Sequence, residues 1–259
     1  MNDGIAIKTG GQVAGLSCIS EIPPANTPLV VQSSEDCSET ADNYLASQEP
    51  YGALVPSFVA GTKLETERGL VSIENLNIGD RIRTLDNGLQ QVRWVGSCKF
   101  SSTELARSPN LRPVRIRAGA LSQKTPTTDL LVSPQHRILL RSRYALRLFG
   151  TQELLAPAKQ LLQVDGIDIA DDINEVEYFH ILLDAHEIVI SNGAGTESLR
   201  HGQEALKVMG PAAQEEIFSL FPQLRDQKQP VVAARMLASG RQARKLVIRH
   251  IQKNAMLVS

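Results

Sequence analysis

VPSFVAGTKLETERG, Val55 to Gly69, is the stretch on which the reading of the chain turns. Pro56 fixes its own φ and carries no backbone N–H, so it interrupts whatever precedes it. Ser57 then heads a short apolar pair, Phe58-Val59. Ala60-Gly61-Thr62 reads as a turn, and Lys63 to Thr66 alternates polar and apolar like a half-buried strand. Ser57 has two readings on these grounds. It is an ordinary strand-entry residue, or its hydroxyl stands ready to attack the peptide bond just before it.

Downstream, short β-type runs alternate with turn signals about every 8–12 residues, the spacing of an all-β domain. Asp80 to Leu85 and Leu89 to Val95 flank Asp86-Asn87-Gly88. The Asn-Gly pair tolerates positive φ at both positions and predicts a tight hairpin. Val114 to Arg117 alternates apolar and basic. Asp129 to Ser133 and His136 to Leu140 flank Pro134-Gln135 as strand, turn and strand. Val176 to Leu183 and His186 to Ser191 read as a second such pair, ending at a turn, Asn192-Gly193.

The ends differ from this middle. Residues 1–50 mix Gly, Ser, Pro, Asn and acids without periodicity and read as a disordered, acidic N-terminal leader; residues 1–56 carry seven acids against Lys8. Residues 51–200 form the β domain, and 201–259 a helical, basic tail. In the tail, Gly210-Pro211 opens one helical pattern and 231–252 forms a second. Arg241, Arg244, Lys245 and Arg249 crowd its polar side, a solvated face or a partner for the acidic leader.

Composition narrows the function. With 42% hydrophobic and 21% charged residues and a net charge of −1, the 259-residue chain is that of a soluble globular protein and gives no reason to expect nucleic acid. It shows no conventional signal peptide and no apolar run of membrane-spanning length, so no membrane partner is expected. The compartment is cytoplasmic, or the chain leaves by a leaderless route. Cys18, Cys37 and Cys98 form no metal-type cluster. Cys18 and Cys37 are free thiols or, in an oxidising compartment, a bridge. His180, Asp184 and His186 match no zinc spacing, so neither a metal nor another cofactor is expected.

Four pieces, taken in order, resemble the Hint family, the self-processing domain shared by hedgehog C-terminal regions and inteins. They are Ser57-Phe-Val-Ala-Gly-Thr62, Leu76-Asn-Ile-Gly-Asp80, Ser133-Pro-Gln-His136 and the run from Tyr178 to Asn192-Gly193. In texture the chain is closest to bacterial Hint-type proteins outside true inteins. The resemblance implies a horseshoe of short strands in which the head residue attacks the carbonyl upstream of it. Ser57 then stands where the family normally has Cys, and His136 takes the place of the acid that protonates the departing nitrogen. Ser133 falls where a hydroxyl helps fix the scissile peptide. Asp129 either orients His136 or ends a loop, and one of His180 and His186 supports the late block.

Glu197-Ser198 occupies the place of the Asn that inteins cyclise, so full splicing is not expected. The expected activity is cleavage or activation of the Pro56–Ser57 bond by an N-to-O acyl shift, with the chain's own N-terminal segment as substrate. The alternative is a catalytically silent Hint-like module used for binding or structure. Asp80 is expected to be a turn residue.

Overall fold

The computed structural model describes residues 4–9, 12–18, 56–200, 214–215, 217–218 and 232–258. Two strands, β1 (Gly4–Thr9) and β2 (Gln12–Cys18), pair antiparallel by themselves. The rest of the acidic leader and a Cys18–Cys37 bridge lie outside the described residues, as does most of the helical pattern opening at Gly210; within it, Gln214, Glu215, Ile217 and Phe218 are helical.

The remaining strands belong to one compact unit, 51–259. In chain order they are β3 (Phe58–Val59), β4 (Lys63–Thr66), β5 (Gly69–Ser72), β6 (Arg81–Thr84), β7 (Gly88–Gln91) and β8 (Trp94–Phe100). There follow β9 (Val114–Ile116), β10 (Leu130–Val132), β11 (Arg137–Arg141), β12 (Glu153–Pro157) and β13 (Ile167–Ile169). The last are β14 (Val176–Leu182), β15 (Ile188–Ser191), β16 (Ala194–Glu197) and β17 (Met236–Leu237). Three α-helices accompany them among the described residues: α1 (Ser102–Arg107), α2 (Arg143–Phe149) and α3 (Gly240–Gln252).

Two sheets result. A six-stranded sheet runs β13-β9-β10-β3-β14-β8, and a nine-stranded sheet runs β17-β12-β11-β16-β15-β4-β6-β7 with β5 beside β4. The chain passes from one sheet to the other between β3 and β4, β7 and β8, β10 and β11, β12 and β13, and β14 and β15. Two of the expected strand pairs are thereby corrected. Asp129–Leu140 and Val176–Ser191 are not hairpins; each leaves the first sheet and enters the second.

The physical reason lies in the crossings. Pro134 offers no ladder donor, and a turn closed by His136 N–H on Ser133 O (3.0 Å) ends β10 before β11 can fold back on it. At the second crossing β14 is almost wholly buried, covered on both faces, and continues into a neighbouring sheet instead of turning back. The run from Leu89 to Val95 likewise breaks at Val92-Arg93 into β7 and β8.

Turn chemistry holds where the backbone demands it. Asn192 (φ 44°) and Gly193 (φ 77°) join β15 to β16 as a two-residue turn. The Asn-Gly of the β6–β7 hairpin behaves otherwise. Only Gly88 takes positive φ (64°), and Thr84 pairs with Gly88 across a three-residue loop. The Asn87 side-chain amide is used elsewhere, donating to both oxygens of buried Glu187 at 2.8 and 3.0 Å. Asp80 is the expected turn residue: Oδ2 accepts from Asn77 N (3.0 Å) and pairs with Arg68 (2.9 Å).

The helix expected over 231–252 begins only at Gly240. Ser239 and Gln242 form a reciprocal capping box there, and Met236–Leu237 add instead as a parallel strand beside β12. The helix buries Ala243, Leu246, Val247 and His250 and leaves its arginines outside. Buried Ser142 caps α2 and donates its hydroxyl to His250 Nε2 (2.6 Å), because His250 Nδ1 already faces the Ala255 carbonyl (3.2 Å). The main core, including Phe58, Ile116, Ile138, Leu154, Phe179 and Ile181, gathers residues of both sheets. Each such side chain contributes roughly 1.5–3 kcal/mol by its burial. Among the described residues no helix is long and apolar enough to cross a membrane.

Candidate functional site

Antiparallel registers fix which side chains meet. Val132 pairs with Phe58, Phe58 with Phe179, and His180 with Gly96. One residue along from Phe58, the same registers align Ser133, Ser57, His180 and Gly96 in a single row across β10, β3, β14 and β8. Directly opposed residues share a face, so the row is one line of neighbouring side chains. The VEYFHILL pattern explains the strand: every residue but Glu177 is buried, and one histidine stands among apolar neighbours.

Hydrogen bonds run along the row. Ser57 N–H donates to Ser133 Oγ (3.0 Å), and Ser133 N–H donates to Ser57 O (2.9 Å). On the other side His180 Nδ1 lies 3.2 Å from Ser57 Oγ and 3.1 Å from Pro56 O. A carbonyl only accepts, so donating to Pro56 O requires the proton on Nδ1, whereas accepting from the Ser57 hydroxyl requires it on Nε2. One ring nitrogen thus bridges a hydroxyl and the carbonyl of the preceding residue. Ser57 and Ser133 are fully buried, and His180 is 6% exposed. Burial holds the His180 imidazole down to about 4, against the upward pull of its bond to Pro56 O. The ring is neutral at pH 7.

His136 is placed differently. Its backbone closes the Ser133 turn, while its ring packs edge-on against Phe58 with centroids 4.4 Å apart. Side chains alternate along a strand, so Phe58 points away from the face that carries Ser57 Oγ. Both ring nitrogens of His136 are buried without a partner among the described residues. Burial first, then the nearby His180 and His186, lower it to about 3. It too is neutral at pH 7, with one donor and one acceptor unused.

The other expected residues serve the frame. Asp129 does not orient His136: its Oδ1 accepts Ala118 N–H (2.9 Å) and its carbonyl accepts the Asn192 amide (2.8 Å), which ends the loop at the β15–β16 turn. His186 faces away from Ser57. Its Nδ1 accepts Ala234 N–H (3.1 Å), so Nε2 carries the proton and donates to Glu197 Oε2 (3.2 Å). Glu197 Oε1 accepts Arg137 N–H (3.0 Å), tying the start of β11 to the end of β16. Asp184 pairs with Arg93 at 2.8 Å, so His180, Asp184 and His186 diverge and do not converge on one point.

Sequence reading named His180 only as a support, whereas the structure sets it directly against Ser57. The usable signal was register: a lone histidine in a strand buried on both faces must find a polar neighbour in the adjoining strand. In the sequence Glu197 stands out only by occupying the place of the Asn that inteins cyclise.

The Hint domain family matches residues 56–203. Among solved structures, the gp41-1 intein is 14% identical, covering 54% of this chain and 97% of its own, at a TM-score of 0.35. A bacterial intein-like domain from Clostridium thermocellum is 15% identical, with coverages of 55% and 97% and a TM-score of 0.36. A DnaB intein from Synechocystis is 12% identical, with coverages of 55% and 98% and a TM-score of 0.33. No curated protein matches the chain. The family match spans over half of the sequence and includes every residue of the row, and the chain belongs to the Hint domain family.

Proposed function

We propose that the chain processes itself, activating its Pro56–Ser57 bond by an N-to-O acyl shift and releasing the segment upstream. The observation that carries this is the row itself. The attacking oxygen, the carbonyl oxygen and the leaving nitrogen of one peptide unit each have a polar side chain within 3.0–3.2 Å.

With the neutral ring protonated at Nε2, Ser57 Oγ bonds to the Pro56 carbonyl carbon and gives its proton to His180 Nδ1. The resulting imidazolium N–H faces the oxyanion on Pro56, where a positioned donor stabilises the developing charge. The C–N bond then breaks, and the His180 imidazolium passes its proton to Ser57 N as that nitrogen becomes an amine, with Ser133 the hydroxyl that holds it. Water then hydrolyses the ester, leaving a carboxylate on Pro56 and a free Ser57 at the head of the domain. Holding the hydroxyl beside its target corresponds to an effective concentration of about 10⁵ M or more, which offsets the weak nucleophilicity of serine.

Replacing the nucleophile tests the reading. Ser57→Ala abolishes cleavage, and Ser57→Cys, whose thiol ionises far more readily, cleaves faster and responds to added thiol. Equal, slow breakdown of all three chains would leave the fold as a binding or structural module.

A further inference from the structure

The row does not end at His180. Its fourth position is Gly96, which pairs directly with His180 across β14 and β8. A side chain at 96 has no room. A Cβ built there would lie 2.1 Å from Cη2 and 2.3 Å from Cζ2 of Trp94, far inside contact distance. Trp94 lies two residues earlier on the same strand and hence on the same face. Its indole has folded over the glycine and fills the volume that a side chain paired with His180 would occupy. Opposed side chains in such a pair start about 5 Å apart at Cβ, and the six-membered ring of the indole stands where the partner of His180 would begin.

Nothing polar holds the indole there. Trp94 is 3% exposed, and its Nε1 is buried without a partner among the described residues. A buried N–H left unmatched is costly, so the packing position outweighs that loss. Along the same face the next pair is Cys98 and Tyr178, and Tyr178 is committed to Leu111 O at 2.7 Å. His136 is the ionisable side chain whose charge interacts with that of His180.

We propose that Trp94, seated in the notch that Gly96 leaves, is a positioning residue that holds the His180 imidazole against Ser57 Oγ and Pro56 O. This rests on the acyl-shift reading for its consequence in rate, and on packing alone for its effect on the ring. The indole closes the open end of the row to water and limits the rotation of the imidazole, so one ring nitrogen stays within reach of both oxygens. Gly96 is required because any Cβ would push the indole out of that seat.

The test uses the full chain. Titration of the His180 ring protons is followed by NMR in a Ser57→Ala background, with Trp94→Phe and, separately, Gly96→Ala added; circular dichroism confirms folding. In both variants the His180 midpoint rises towards the ordinary histidine value by about one pH unit or more, because water reaches the ring. With Ser57 intact, each variant slows cleavage about tenfold or more through misplacement of the ring, and neither slows a His180→Asn chain any further.

A His180 midpoint unmoved in both variants overturns the proposal, as does slowing that persists undiminished on the His180→Asn background. The two readings fail separately. A chain that never cleaves, yet shifts its His180 midpoint in both variants, removes the acyl shift and leaves the positioning role intact. A chain that cleaves with the midpoint unmoved removes the positioning role alone.

Discussion

Two substitutions at His180 separate its two roles. In His180→Asn the side-chain amide nitrogen sits as far along the side chain as Nδ1 does, so the contact with Pro56 O (3.1 Å) is kept as a donor. An amide does not take up a proton, however, so the abstraction from Ser57 Oγ, 3.2 Å from Nδ1, is lost. His180→Ala removes donor and acceptor together. General-base catalysis is worth about 10²–10⁴ in rate, and one donor to an oxyanion about 10²–10³. His180→Asn is therefore expected to slow cleavage by about 10²–10⁴. The alanine chain is slower again by roughly the donor's share, somewhat less if water enters the space left behind. The assay is the appearance of the chain beginning at Ser57, followed by intact mass over days at neutral pH, with circular dichroism on each variant. If both folded variants cleave at the parent rate, His180 takes no part and the mechanism is refuted. If the asparagine and alanine chains are equally slow, the donor role falls and the base role remains.

Acid should act on both rate and stability. The folded values of His180 (about 4) and His136 (about 3) lie below the ordinary 6.5, so as pH falls the unfolded chain binds protons first. Stability is complete above about pH 6.5 and is lost progressively as pH falls through 4 towards 3, by a few kcal/mol in all. Urea midpoints across that range check it, and His136→Leu should flatten part of the slope. The cleavage rate should stay level from neutral pH down to about 5 and drop as His180 protonates near 4, unlike the fall near 6.5 expected of an exposed histidine. Glu197→Ala should cost about 3–5 kcal/mol, since it strands the buried His186 Nε2–H and the Arg137 N–H that the carboxylate accepts; thermal melting reads it directly.

Much of the fold was legible because local signals and global pairing agree. Turn chemistry at Asn192-Gly193, the Asp80 turn and the alternation of β6 and β9 all follow from residue type and period. Sheet membership was not legible. Pro134-Gln135 and Asp184-Ala185 look like hairpin turns, and only the requirement that β10 and β14 be covered on both faces sends the chain across to a second sheet. The same holds for the site. Order along the chain singles out Ser57, Ser133 and His136 as candidates, whereas the contact of Ser57 with His180 depends on a register set 123 residues apart. Gly96 carries no chemistry of its own, and its meaning emerges only when Trp94 is seen lying across it. The start of α3 was misjudged for a local reason: the capping pair Ser239 and Gln242 sits inside a pattern that is amphipathic on both sides of it.

The measurement that bears most directly on self-processing is the mass of the upstream fragment after treatment of the intact chain with hydroxylamine. An ester at Ser57 Oγ would be captured as a hydroxamate on Pro56, with the partner fragment beginning at Ser57. The same treatment would leave the Ser57→Ala chain whole. Autoprocessing predicts that pair of fragments, with the hydroxamate ending at Pro56. A chain that stays whole, or one cut elsewhere or carrying a plain carboxylate in the Ser57→Ala protein as well, contradicts it.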